Sequence, residues 1–289
     1  MVHYSQNVLG VGHLFRSLEI DKALADHQVT LITGGPAVEL PLPANVSHHA
    51  LPALGMDSSF SRLHAQKPNT DIEDVKAGRL ESLTALMHAV LPDIFLVELF
   101  PFGRKKFAFE LLPVLEALNR QEYGRCLATC SLRDILVEKD DTNGFESRAL
   151  RHLNTLFQGL LIHSDPRLVR LEETFSRTAD ITVPTAYTGY VTPLPALTDK
   201  SVLRQTLGLP ARGLVLVASA GGGGVGQDLL EAVLRSCISL VEDRGFPLTL
   251  RIFTGPYAPV DRHERLRSLA LGRSWAVVER FTDHFLEVL

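Results

Sequence analysis

Four residues near the start of the chain could do chemistry together: Gly10, Gly12, His13 and Arg16, in the stretch "NVLGVGHLFRS" (residues 7–17). Glycines let a backbone approach a ligand closely and reach positive φ. A histidine at the start of a helix sits where amides point outward and the field favours negative charge. Arg16, one turn later, can reach the same anion. An imidazole with an ordinary pKa near ~6.5 is also suited to take a proton at neutral pH. The plainer alternative is a histidine hydrogen-bonded to its own loop at the helix start.

A second glycine stretch, "SAGGGGVG" (219–226), follows an apolar run and precedes a helical pattern. It contains G-x-G-x-x-G at Gly221, Gly223 and Gly226, the context in which dinucleotide binding is worth testing. That reading asks for a carboxylate about 20 positions on, at the end of the next strand. The strand in question ends "RIFTGP", and Asp243 comes before it. A P-loop is excluded, because no Lys-Ser or Lys-Thr follows the glycines. Two readings remain. The amides of Gly221, Gly222, Gly223 and Gly224, with Ser219 beside them, cradle phosphate oxygens, or the glycines only permit a tight strand-to-helix turn.

Other polar groups fall at the carboxyl ends of expected strands, where ligands of parallel sheets collect. Glu98 ends "IFLVEL" and must be paired or reach solvent. Arg133 and Asp134 follow "CLATCS" as a substrate contact or a structural salt bridge. Asp165 before Pro166 reads as turn initiation or a helix cap. "FPFGRKKFAF" mixes four phenylalanines with Arg104, Lys105 and Lys106. It suits a lipid surface or an anionic lipid-linked acceptor, or it is a solvated basic turn flanked by core phenylalanines.

These groups need a scaffold, and short β-rich runs alternating with helical ones indicate an α/β fold with parallel sheets. Strands are expected near Val2–Ser5, Val29–Thr33, Ile94–Leu99, Arg125–Ser131 and Leu160–His163. The helices expected between them cover His13–Ala25, Asp71–Leu91, Phe107–Arg120 and Glu146–Phe157. The first carries Leu14, Phe15, Leu18 and Ala25 in one sector. The second opens on a Thr70/Glu73 capping box and stops at Pro92. Near Thr192, "TPLPALTDKS" has the look of a linker, which divides the chain into domains 1–192 and 193–289. A second alternation follows it, with strands at Leu214–Ala218, Leu248–Thr254 and Trp275–Glu279. In a doubly wound sheet the first strand lies in the middle, so three strands would leave Leu214–Ala218 with an unpaired apolar edge.

Composition narrows the function classes. With 289 residues, 45% of them hydrophobic, the chain can fill two ordinary cores. A net charge of -4 gives no basic face for nucleic acid. Three cysteines are too few for a disulfide framework, which points to a reducing, cytoplasmic setting. Neither a signal peptide nor a run of about 20 apolar residues is present.

Several segments in order resemble one family: "LGVGHLFRSLEI", "VTLITGGP", "PDIFLVELFPFGRKKFAFELLPVLEAL", "CSLRDIL", "LIHSDPRLVRLEETF", "YTGYV" and "LVLVASAGGGGVGQDLLEAV". The resemblance is to predicted bacterial glycosyltransferases related to the MurG-like N-acetylglucosaminyltransferases of glycosyltransferase family 28, and it covers essentially the whole chain. It implies two Rossmann-like domains (GT-B), the second incomplete. The N-terminal one would bind a small-molecule or lipid-linked acceptor and the C-terminal one a nucleotide-sugar, with chemistry in the cleft between. His13, at the family's Gly-x-Gly-His position, would be the base of an inverting transfer, with no cofactor and no metal. Gly10, Gly12, Arg16, Glu98, Arg133 and Asp134 would serve the acceptor; Ser219 and Gly221 to Gly224 would serve the donor. Family members continue beyond the equivalent of Leu289, so a truncated chain and a complementing C-terminal polypeptide are expected. The alternatives are a non-catalytic or partner-dependent acceptor-binding subunit and a sugar-nucleotide hydrolase or epimerase of the same fold.

Overall fold

In a computed structural model the described residues are 1–7, 12–37, 41–56, 62–67, 69–137, 140–193 and 199–289. They form two units, Met1–Thr192 and Pro193–Leu289. The first alternates strands and helices in the order β1 (Val2–Tyr4), α1 (Gly12–Ala23), β2 (Val29–Thr33), β3 (Val46–Ala50), β4 (Leu54–Met56), β5 (Leu63–Ala65), α2 (Ile72–Val90), β6 (Ile94–Glu98), α3 (Ala108–Asn119), β7 (Leu127–Arg133), α4 (Thr142–Leu156), β8 (Gly159–His163) and β9 (Thr185–Tyr187). Seven strands make one parallel sheet in the order β3-β2-β1-β6-β7-β8-β9, and β4 and β5 form a small antiparallel pair. The strand order reverses between β1 and β6, which is the switch point where parallel sheets open a crevice.

Alternate side chains of a strand serve opposite faces. In β2, Val29 and Leu31 pack with Leu14 and Leu18 of α1, while Ile32 joins Leu83 and Met87 of α2. The α1 stripe differs from the expected one. Phe15 is 41% exposed, and Ser17 and Asp21 are buried beside Leu14 and Leu18. Asp21 is held by buried His3 at 2.7 Å, and Ser17 Oγ donates to Ser5 Oγ at 2.9 Å. The polar residues of α1 therefore grip β1, displacing the apolar pattern that its sequence suggests.

Helix α2 is capped by Asp71, whose carboxylate accepts from the Glu73 amide at 2.9 Å, so Asp71 takes the role assigned to Thr70. The helix ends at Leu91, in the left-handed region immediately before Pro92. Its buried face carries Arg79, which has no exposed surface. Arg79 donates to both oxygens of Glu110 on α3 at 2.8 and 2.7 Å, to Gln6 Oε1 at 2.9 Å, and to the carbonyls of Gly34 and Pro52 at 2.9 and 2.8 Å. Tyr4 of β1 donates its hydroxyl to the same Glu110. One guanidinium thus ties two helices, the segment just after β1 and two further loops. Gly34 is obligatory there, because a Cβ would stand 2.1 Å from Arg79 Nη1.

The second unit holds α5 (Lys200–Thr206), β10 (Leu214–Ser219), α6 (Gln227–Ile238), β11 (Leu248–Phe253), α7 (Val260–Ala270), β12 (Ala276–Glu279) and α8 (Phe285–Val288). Asp199 caps α5 by accepting from the Ser201 amide, so the end of the expected linker is a helix start. The sheet runs β10-β11-β12, all parallel. Among the described residues β10 is paired on one side only, and Leu214 is 50% exposed. Leu250 and Ile252 of β11 form the core with Leu230 and Leu234 of α6 and Leu266 of α7. Among the described residues no helix is long and apolar enough to cross a membrane.

Removing one member of a buried ion pair strands the other charge, which typically costs about 3–5 kcal/mol, whereas replacing both with apolar residues is often close to neutral. Arg79→Met alone is therefore expected to lower the stability of the first unit by about that amount, and Arg79→Met with Glu110→Met to recover part of it. Urea unfolding followed by circular dichroism checks this; equal losses in both variants would contradict it.

Candidate active site

At the carboxyl end of β6 a single carboxylate gathers the groups around it. Glu98 is 1% exposed. His13, in the first turn of α1, holds its Nδ1 2.7 Å from Glu98 Oε1, and Arg16 Nη2 donates to the same oxygen at 3.0 Å and stands 3.5 Å from Nδ1. Arg104 Nε donates to Oε2 at 3.1 Å. Burial by itself raises the Glu98 carboxyl. The His13 hydrogen bond and the charges of Arg104, His13 and Arg16 overcome that and bring it from 4.5 down to about 2. Glu98 is therefore an anion throughout the neutral range.

A carboxylate on Nδ1 fixes the imidazole tautomer, leaving the lone pair on Nε2. His13 keeps 28% of its side-chain surface exposed, and among the described residues Nε2 has no protein partner. The arrangement is an oriented imidazole whose basic nitrogen is uncommitted. The backbone that presents Arg104 is strained: Leu99 (φ 66°) and Arg104 (φ 55°) both occupy the left-handed region, which is costly for residues bearing a Cβ. This turn bends the chain off β6 and folds the Arg104 guanidinium back over Glu98.

Around this pair lies an excess of positive charge. Arg133, at the end of β7, stands 3.6 Å from Asp134, a salt bridge longer than a hydrogen bond. Burial lowers the Arg16 pKa first; the charges of Arg133 and Arg104 push the same way, while Glu98 and Asp134 oppose them. Three guanidinium groups thus face two carboxylates. The Nε atoms of Arg16 and Arg133 are buried without a hydrogen bond. Beneath them His163, at the end of β8, bridges Ser131 Oγ at 2.8 Å and Thr188 Oγ1 at 2.7 Å. Burial, then the charges of Arg16 and His3, hold His163 down at about 4, so it is a neutral spacer.

The glycines divide by role. Gly10 lies outside the described residues. Gly12 opens α1 without a positive φ, and a Cβ there would meet open space, so no packing within the chain requires its bareness. In the second unit Gly221, Gly223 and Gly226 have φ of 61°, 89° and 84°. The Gly221 amide donates to Ser219 Oγ at 3.1 Å and the Gly223 amide to the Ala220 carbonyl at 3.3 Å. Those two donors are spent inside the turn. Gly222 and Gly224 are exposed, and among the described residues their amides have no protein acceptor. Gly223 is buried against the next turn, where a Cβ would lie 2.4 Å from the Thr254 carbonyl. Gln227 donates to the carbonyls of both Gly223 and Thr254 at 3.0 Å and fastens the two turns together.

Asp165 makes an Asx turn, its Oδ1 accepting from the Arg167 amide at 2.9 Å. In "FPFGRKKFAF", Phe100, Phe102 and Phe107 are buried, Phe109 is half-buried, and Lys105 and Lys106 are exposed. The role of Arg104 as a ligand of Glu98 escaped the sequence reading. Among the described residues no three His, Cys, Asp or Glu side chains are grouped as metal ligands.

No protein-family model matches the sequence, and no curated protein matches it. Solved structures do. The chain is similar to UGT2 of Phytolacca americana complexed with UDP-2fluoro-glucose and pterostilbene, at 15% identity and TM-score 0.52, over 92% of this chain and 70% of that one. It is similar to Os79 from O. sativa in complex with UDP, at 12% identity and TM-score 0.56, over 98% and 73%. It is also similar to the UDP-GlcNAc 2-epimerase from Neisseria meningitidis bound to UDP-GlcNAc, at 12% identity and TM-score 0.55, over 99% and 73%. The likeness is one of fold: Rossmann-like α/β units of the GT-B kind, with this chain spanning about 70% of the length of those it matches.

The Glu98 carboxyl is lower in the folded chain than in the unfolded one, so its stabilisation is full above pH 4.5 and is lost as pH falls toward 2. The depression corresponds to a contribution on the order of 3 kcal/mol. The stability gap between the wild type and Glu98→Gln is expected to narrow steadily from about pH 5 toward about pH 3 in urea titrations. A gap that stays constant over that range would show that Glu98 is not held as described.

Proposed function

We propose that this chain is a nucleotide-sugar-dependent glycosyltransferase of the MurG-like kind that its motifs resemble. It would move a hexosyl group from a UDP-linked donor to a hydroxyl acceptor with inversion. The observation that carries this reading is the His13–Glu98 pair, an oriented imidazole with a free Nε2 at the switch point of a parallel sheet. In the transfer, His13 Nε2 takes the acceptor's hydroxyl proton as that oxygen bonds to the anomeric carbon. The bond from that carbon to the phosphate oxygen breaks, and its electron pair leaves with UDP. Glu98 stabilises the imidazolium that forms, the role a buried carboxylate plays behind a catalytic histidine.

Charge developing on the diphosphate calls for preorganised donors. The exposed Gly222 and Gly224 amides, with Ser219 beside them, would supply these on the donor side. Gly12 would keep room for the acceptor beside His13, with Arg16, Arg133 and Asp134 around it. The fold shared with proteins solved with UDP or a UDP-sugar supports a nucleotide-sugar ligand. The reaction as proposed uses neither metal nor cofactor and runs in the cytoplasm.

A second reading has support of its own. Among the described residues β10 is paired on one side only, an edge that supports a partner-dependent chain in which a further strand covers it. In both readings His13 is the base. Release of UDP from a panel of UDP-sugars, with and without hydroxyl acceptors, tests them. The transferase predicts acceptor-dependent release, lowered about 10²- to 10⁴-fold in His13→Ala. Release that begins only when a C-terminal fragment is added supports the partner-dependent chain. UDP-sugar consumed equally well without acceptor assigns the site to a hydrolase or epimerase, and near-normal turnover by His13→Ala removes it as the base.

A further inference from the structure

Thr254, immediately past the end of β11, has no exposed surface and uses all of its polar groups. Its amide donates to the Glu279 carbonyl, at the end of β12, at 2.9 Å. Its carbonyl accepts from Gln227 Nε2 at 3.0 Å and would stand 2.4 Å from a Cβ on Gly223, so this one oxygen sets how closely the glycine turn after β10 approaches. Its hydroxyl stands 2.9 Å from Nδ1 of His263, on α7, and 3.4 Å from the Glu279 carbonyl oxygen. Three elements therefore meet on Thr254: β12, the head of α6, and α7.

His263 is only 6% exposed, so it can act on a ligand only through what it touches. Burial lowers its pKa first; the charges of Arg280 and Arg267 push the same way, and Glu264 opposes them. The imidazole is thus neutral in the neutral range and works by its hydrogen bond, not by charge. The far side of the second turn is fastened as well, since the Gly255 amide donates to the Arg280 carbonyl and Arg280 Nη1 to the Ala258 carbonyl, both at 2.9 Å. Between them the Tyr257 amide donates to the Gly222 carbonyl at 2.9 Å.

We propose that His263 is a positioning residue: through Thr254 it fixes the turn 219–227 and with it the exposed amides of Gly222 and Gly224. That the group met by those amides is the diphosphate of a donor rests on the transferase reading; the fixing of the turn does not. Without His263 the buried Thr254 hydroxyl keeps only the longer contact to Glu279, a penalty relieved by a shift of residue 254. Gly223 packs backbone to backbone on that residue, so the shift carries the amides with it. Preorganised amides hold an anion only while they keep their places.

His263→Leu removes the bond and His263→Asn restores it, since a carboxamide can either donate to or accept from a hydroxyl. Calorimetric titration with UDP and hydrogen exchange at the Tyr257 amide read the two consequences. His263→Leu is expected to weaken UDP by about tenfold and to lower Tyr257 amide protection by about tenfold, while His263→Asn stays close to the wild type in both. Thr254→Val, which deletes the hydroxyl at nearly constant volume, should match His263→Leu, and the double variant should be no worse than either. UDP affinity unmoved in His263→Leu while its thermal midpoint falls shows a role in folding stability alone and overturns the proposal; so do additive losses in the double variant. If His263→Leu does not fold, Thr254→Val against Thr254→Ser carries the same test, and equal UDP affinity in the two overturns it. If the wild type binds no UDP, the donor reading of the turn fails and exchange decides the rest. Protection that falls in His263→Leu and returns in His263→Asn then leaves the positioning role standing, and protection that does not move overturns it.

Discussion

The first unit is organised around a charge that has no water. Arg79 enters the core from α2, and every N–H of its guanidinium has to find an acceptor there or cost several kcal/mol. The acceptors it finds come from α3, from the residue two past β1, and from the loops after β2 and β3. Satisfying one side chain therefore fixes where four separate segments must stop. Such a pair contributes little net stability, because desolvation offsets most of the attraction. What it supplies is a unique arrangement: α2 and α3 cannot slide on the sheet without leaving donors unmet. Gly34 follows from the same constraint, since only a residue without a Cβ fits against the guanidinium.

Glu98 applies the same physics at the open end of the sheet with the signs reversed. One buried carboxylate is neutralised by surrounding cations, and here the shell is not closed. His13 keeps its Nε2 without a protein partner among the described residues, and Arg104 also lines a cavity of about 670 Å³ with Phe100, Phe102, Phe107 and Phe145. Glu110 is enclosed on every side, whereas the groups around Glu98 reach the surface, His13 with 28% of its side chain exposed. Strain at Leu99 and Arg104 sits beside Glu98, where a positioning device would store it.

Much of the frame was legible in the sequence. The apolar run Val29–Thr33 is β2 residue for residue, and α2 ends where Pro92 requires. What could not be read depends on partners distant in the chain. Strand β3, "VSHHA", has no apolar run. Its histidines are accommodated because His48 meets Thr33 and His49 meets Ser82. Glu146 looked like a helix start and is instead a buried residue inside α4, accepting from the amide and hydroxyl of Ser176. Arg79 and Glu110 did leave a trace: each is a charged residue inside an otherwise apolar helical stripe. The clustering of His13, Arg16 and Glu98 was visible only as separate candidates, because it takes the β1–β6 adjacency to bring residue 98 to residue 13.

The two turns of the second unit interlock like the teeth of a zip. Gly255 (φ 93°) leaves no room for a Cβ, which would fall 2.4 Å from the Gly223 nitrogen, and Gly223 is equally tight against Thr254. Neither turn can be redrawn by itself. A substitution that reshapes one turn meets the backbone of the other, so positions 223 and 255 are sterically coupled. The Tyr257 amide also donates to the Gly222 carbonyl at 2.9 Å, which ties the first turn to the residues that lead into α7.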